Sequence, residues 1–168
     1  MASISAHKVH GPKGIGALYI KKGCRLSPIL YGGGQENGLR SGTENITCIT
    51  AFAEALKIQK VESHWEITDY LVSRLQEIEG GEILFPPEAP HIVNFYYPKY
   101  NGEVVVRMLS EHGICVSTGS ACSKGKKSSV LRELGVPPRK IDGALRISPS
   151  LYTSTHGVDK LVEILKNL

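Results

Sequence analysis

The sequence predicts an α/β fold, a small sheet covered by helices, preceded by a segment of different character. Three observations carry this. From about residue 60 onward, short β-rich runs alternate with stretches whose apolar residues recur at helical spacing. Glycine is concentrated at the other end: 18 of the 168 residues are glycine, and nine of those lie in the first 42. Charge divides the same way, since residues 1–42 carry six basic groups against one acid, whereas the remainder carries 14 against 15.

Residues 15–21 read as a short strand between turn signals. Residues 32–43, dense in glycine, exclude regular structure. A helix is expected over about 44–60, with Ile46, Ile49, Ala53 and Leu56 at helical spacing. A second is expected to start at Ser63, three residues before Glu66 in the capping-box pattern, and to stop at Gly80-Gly81. Pro86, Pro87 and Pro90 mark a loop before a strand over 91–97. A helix over 102–112 ends at Gly113, and a short strand over 114–117 should place Cys115 in the core. After a loop holding Cys122 come a short helix near 129–134, a strand over 145–148 and a last helix over about 155–167. The domain boundary falls near the long helix, within 44–60.

Composition narrows the function. A net charge of +4 over 168 residues is too small for a clustered nucleic-acid face. A glycine-rich, basic segment does suit a bound phosphate, with a loop-rich basic surface as the alternative. No apolar run approaches the ~20 residues of a membrane helix, and the start has no apolar signal region. The four cysteines show no C-x-x-C spacing, so no metal site is expected, and reduced thiols in the cytoplasm are.

Four segments could carry chemistry. Lys8, between Ser5-Ala-His7 and Gly11-Pro12-Lys13-Gly14, can be held rigidly with its amine in a pocket, which suits a Schiff-base lysine; a solvated surface lysine is the alternative. The run from Gly32 to Thr43 offers amides, hydroxyls and Arg40 to an anion, or is a linker. Cys122 sits in a small-residue loop beside Lys124, Lys126 and Lys127, which favour its thiolate; an ordinary surface cysteine is the alternative. Arg146 lies inside an apolar strand, where its head must meet a carboxylate, either a ligand's or an internal partner's.

These segments, in this order, resemble the C-terminal half of a cysteine desulfurase, a pyridoxal-phosphate enzyme of the class V aminotransferase fold. The matching motifs are Ser-x-His-Lys, Gly-Pro-Lys-Gly-x-Gly, Gly-Gly-Gly-x-Glu-x-Gly-x-Arg-Ser-Gly-Thr, Gly-Ser-Ala-Cys and an Arg-x-Ser strand. The resemblance implies a C-terminal small domain of that fold over 45–168 and an incomplete piece of the large cofactor-binding domain over 1–44. It implies that Lys8 bonds the cofactor and shuttles protons, that Ser5 and His7 hold its phosphate, and that Thr43 reaches the phosphate of the neighbouring subunit in a homodimer. Cys122 would take the sulfur of L-cysteine as a persulfide, releasing L-alanine, and Arg146 would bind the substrate carboxylate. A sulfur-acceptor or scaffold protein, as in iron–sulfur cluster assembly, would be the partner.

The chain departs from the family in a lysine-rich, shorter loop after Cys122 and in Ser148-Pro149-Ser150, where relatives usually carry a glycine. No residue before Ser5 supplies the aromatic and aspartate groups that the family places on the cofactor ring. The isolated chain is therefore expected to be inactive, either as a fragment or as half of a two-chain enzyme. The other readings are a selenocysteine lyase or aminotransferase of the same class, and a non-catalytic module.

Overall fold

The computed structural model describes residues 1–119 and 128–168. They form two compact units, Met1–Gln59 and Lys60–Leu168. The long helix groups with the N-terminal unit.

In the first unit, strands β1 (Ala2–Ser5) and β2 (Gly16–Tyr19) pair antiparallel, from Ala2 opposite Tyr19 to Ser5 opposite Gly16. β1 was not expected. Its Ala-Ser-Ile-Ser sequence has little strand preference of its own, and the pairing comes from β2. Helix α1 (Ile46–Lys57) starts where Asn45 caps it, its side chain accepting the Cys48 amide hydrogen at 3.2 Å. The inward residues are Phe52 and Ala55. The expected stripe of Ile46, Ile49, Ala53 and Leu56 is exposed instead. At the end of α1, the Gln59 amide donates to the carbonyls of Val9 and Ala55, both at 3.2 Å, tying the helix to the turn after β1.

The second unit is built on an antiparallel sheet of β3 (Glu82–Ile83), β4 (Val93–Tyr96) and β5 (Ala144–Ile147), in that order. Helix α2 (Val61–Leu75) begins one residue past Lys60 rather than at Ser63. The Lys60 carbonyl already accepts the His64 amide hydrogen at 3.2 Å, which places Ser63 inside the first turn. Helices α3 (Gly102–Glu111) and α6 (Thr155–Asn167) are capped by Asn101 and Ser154 side chains. Short helices α4 (Ser129–Glu133) and α5 (Pro138–Asp142) lie between; α5 follows from Pro138 at its first turn, a signal the sequence reading passed over.

One face of the sheet, with Val93, Phe95, Leu145 and Ile147, joins Leu71 and Leu75 of α2, Val105 and Leu109 of α3, and the apolar stripe of α6 in one core. The Tyr97 hydroxyl is buried there and donates to the Leu165 carbonyl at 2.9 Å, so the polar atom is satisfied. The opposite face carries a smaller cluster of Leu131, Ile141 and Ala144, packed with Leu84, Phe85 and Val136.

The expected strand over 114–117 is reduced to a single bridge at Ser117. The Ile114 amide closes on Leu109 as the end of α3, so the chain is committed to the helix until that point. Cys115 is exposed, not in the core. Ile114 and Val116 pack inward on either side of it, and the alternation turns Cys115 out.

On the outside of α2 and α6, the Tyr70 hydroxyl donates to Asp159 at 2.7 Å and the Arg74 Nε donates to the same oxygen at 3.0 Å. Arg74 also pairs with Glu77, which accepts from the Lys166 ammonium at 2.6 Å. Tyr70, then Arg74, hold the Asp159 carboxyl below its ordinary range; Lys166, then Arg74, do the same for Glu77. A carboxyl depressed in the folded state stabilises the fold above the unfolded value, near 4, and that stabilisation is lost as pH falls through the folded value. The urea midpoint is therefore expected to decline from about pH 5 downward, and the combined Glu77→Gln, Asp159→Asn variant to show a flatter acid limb in the same titration.

Candidate active site

Ser5 ends β1, and the chain then makes a single 3₁₀ turn, Ala6–Val9, that carries His7 and Lys8. Two close approaches hold this turn. The Ala6 amide donates to the Ile15 carbonyl at 3.1 Å, and the Gly11 amide donates to the Ala6 carbonyl at 2.8 Å. A side chain is excluded at Gly16, where a Cβ would lie 2.5 Å from the Ile4 carbonyl oxygen, and would be crowded at Gly11, where it would lie 3.0 Å from the Ala6 carbonyl oxygen. The Gly-Pro-Lys-Gly-x-Gly spacing is thus the mould of the lysine turn.

Ser5, His7 and Lys8 are all exposed, and none of their side chains bonds to another described residue. One hydroxyl, one imidazole and one ammonium within the four residues Ser5–Lys8 are free for a ligand. That donor set fits a phosphate together with a carbonyl that an amine can attack.

The glycine-rich loop is closed by Gln35, a residue the sequence reading did not single out. Its Oε1 accepts the Gly42 amide hydrogen at 3.1 Å, and the Ser41 amide reaches the Leu30 carbonyl at 3.3 Å. Arg40 turns back on the Ser41 carbonyl at 2.8 Å. Thr43 follows, exposed, two residues before the Asn45 cap of α1. This loop too lies in the first unit.

Arg146 lies in the second unit, at the centre of the Ala144–Ile147 strand. Its amide and carbonyl exchange both backbone bonds with Ser117. The guanidinium Nε is buried and has no hydrogen-bond partner among the described residues. Burial without a partner is costly for a charged donor, so this position calls for an anion. Ser117 is a further residue missed from sequence. Its hydroxyl donates to the Gly119 carbonyl at 3.0 Å and accepts the Gly119 amide hydrogen at 3.3 Å. On the far side of the cysteine segment, the Ser128 hydroxyl accepts the Leu131 amide hydrogen at 3.3 Å and caps α4. Cys122 lies outside the described residues. Among those described, Cys24, Cys48 and Cys115 are free, no group of ligands suits a metal, and no helix is long and apolar enough to cross a membrane.

Comparisons with known proteins bear on this arrangement. Residues 1–161 match the aminotransferase class-V family. The chain is 34% identical over 181 aligned residues to a cysteine desulfurase of Nostoc sp. (strain PCC 7120), covering all of this chain and 45% of that protein. It is 38% identical over 175 residues to cysteine desulfurase IscS 1 of Archaeoglobus fulgidus, covering 98% of this chain and 46% of that one. A solved NifS-like protein superposes with a TM-score of 0.82 at 36% identity, over 98% of this chain and 44% of its own. The chain thus spans a little under half the length of the curated relatives it matches. The expected fold, with small sheets and helices of the class V type, is the one observed, and the chain belongs to the aminotransferase class-V family, similar along its length to the family's cysteine desulfurases.

Proposed function

We propose that this chain is the C-terminal portion of a cysteine desulfurase, which converts L-cysteine to L-alanine and keeps the sulfur on Cys122 for transfer to an acceptor protein. The observation that carries the reading is Arg146, whose buried Nε lacks a partner among the described residues and suits the carboxylate of an amino acid. The family match and the ordered motifs support it.

The donor set on the Ser5–Lys8 turn fits pyridoxal phosphate: Lys8 would hold its carbonyl carbon, Ser5 and His7 its phosphate, and Thr43 the phosphate of a neighbouring subunit in a homodimer. When bound, that group supplies an electron sink for the substrate's α-carbon. The Lys8 amine then takes and returns the proton at the substrate Cα. Arg146 fixes the substrate by two charge-assisted hydrogen bonds to its carboxylate. The Cys122 thiolate attacks the substrate sulfur. A sulfur–sulfur bond forms as the carbon–sulfur bond breaks, and the electron pair goes to the β-carbon, which is protonated and leaves as the methyl group of alanine. An acceptor thiolate removes the outer sulfur in turn, as sulfur delivery to an iron–sulfur scaffold requires, and Cys122 returns to the thiolate.

The test is alanine release from L-cysteine by the holoenzyme that contains this chain. Alanine and persulfide sulfur should form in equal amounts, and Arg146→Ala should raise KM about 100-fold, the loss of two bonds to a charged group. Absence of alanine in the unaltered enzyme overturns the reading. The 168-residue chain alone is expected to release none.

A further inference from the structure

We propose that Asn94 is a specificity-determining residue of this site, its side-chain amide donating a hydrogen bond to the α-carboxylate of the substrate beside Arg146. The inference rests on the reading of Arg146 as the carboxylate-binding residue and adds a second donor to it.

Asn94 of β4 is directly opposite Arg146 of β5, and Ser117 is opposite Arg146 on the other edge. The amide and carbonyl of Arg146 are both turned to Ser117. The Asn94 carbonyl is turned the other way, where it accepts the Leu84 amide hydrogen at 2.9 Å. Asn94 and Arg146 therefore form the non-hydrogen-bonded kind of antiparallel pair, in which facing side chains come closest.

Val93, Phe95, Leu145 and Ile147 alternate with this pair and fill the main core. Asn94 and Arg146 are on the opposite face with Ala144, where the Leu131–Ile141 cluster covers the Ala144 end. The row Asn94–Arg146–Ser117 is left as a polar strip across the sheet at the other end. All three are half-buried.

Asparagine is depleted in strands, and here it interrupts two fully buried apolar neighbours. Its side chain makes no hydrogen bond to a described residue, and the adjacent Arg146 Nε makes none either. A carboxylate accepts up to about four hydrogen bonds, so the neutral amide of Asn94 fits beside the two that Arg146 gives. The neutral amide adds a directional bond without a second cation, so it discriminates by shape rather than by charge.

The test uses the holoenzyme that contains this chain. Asn94→Ala should raise KM for L-cysteine and Ki for L-alanine about tenfold, with kcat changed less than about threefold. Inhibition by cysteamine, which has no carboxylate, should not move. Asn94→Asp, close in shape, should raise KM further because it sets a carboxylate against a carboxylate. If Asn94→Ala melts below the assay temperature, Asn94→Leu, close in size and without a donor, takes its place. Unchanged KM and Ki, or an equal shift for cysteamine, overturns the proposal. Arg146→Ala in parallel separates the two readings. If it raises KM and the Asn94 variants do not, only Asn94 is misassigned; if it leaves KM unchanged, the carboxylate reading of the site falls as well.

Discussion

Lys8→Ala is expected to abolish alanine release from L-cysteine, by at least about 10⁴-fold, while leaving the thermal midpoint of the cofactor-free protein within about a degree. The two parts follow from the same geometry. Lys8 is exposed on a 3₁₀ turn whose shape is set by backbone bonds at Ala6 and Gly11, and its side chain makes no bond to a described residue. Surface substitutions of this kind change stability by less than about 0.5 kcal/mol. In the proposed chemistry, however, the amine both holds the cofactor and moves the Cα proton, and proton transfer alone contributes 10²–10⁴-fold. Lys8→Arg should be as inactive, because a guanidinium keeps the charge but does not give up its proton near neutral pH. Alanine release by the loaded enzymes and melting curves of the cofactor-free proteins check the two parts. An active Lys8→Arg enzyme would mean that only a positive charge is needed there.

Phe95→Ala should have the largest effect on stability, about 3–5 kcal/mol, read as the urea midpoint of unfolding. Phe95 is fully buried in the middle strand of the sheet, with Ile83 on one side and Leu145 on the other. Its neighbours are held by strand pairing, so the space it leaves cannot close by collapse. A loss of that size is a large part of the 5–15 kcal/mol that holds a typical domain. The adjacent Asn94→Ala should cost far less, since Asn94 is on the other face and leaves no core cavity. The contrast between neighbours tests the sheet register directly.

Helices α2, α3, α4 and α6 of the second unit were legible because each carries its own signal. Val158, Leu161, Val162 and Leu165 repeat at helical spacing and are buried as a stripe, and Gly113 ends α3 with positive φ. The first unit was less legible. β1 exists by pairing with β2, which no local pattern announces, and the apolar residues of α1 that repeat most regularly are exposed. In the second unit the start of α2 was misplaced: a capping pattern was present at Ser63, but a backbone bond from Lys60, one turn earlier, took precedence. Of the candidate site, the lysine turn followed from its glycines and proline, since their spacing is the geometry. Arg146 was visible as a charge in an apolar strand. Ser117, Gln35 and Asn94 were not, because what they do depends on pairing across the fold. A polar residue inside the 91–97 strand was the only trace of Asn94 in the sequence.

The measurement closest to the central claim is the mass of the peptide containing Cys122 after the holoenzyme has been given one portion of L-cysteine without an acceptor thiol. One added sulfur atom on that peptide, removed by a reducing thiol and absent in both Cys122→Ser and Lys8→Ala, is the predicted result. Alanine formed with no sulfur on Cys122, or sulfur found instead on Cys24, Cys48 or Cys115, would contradict it.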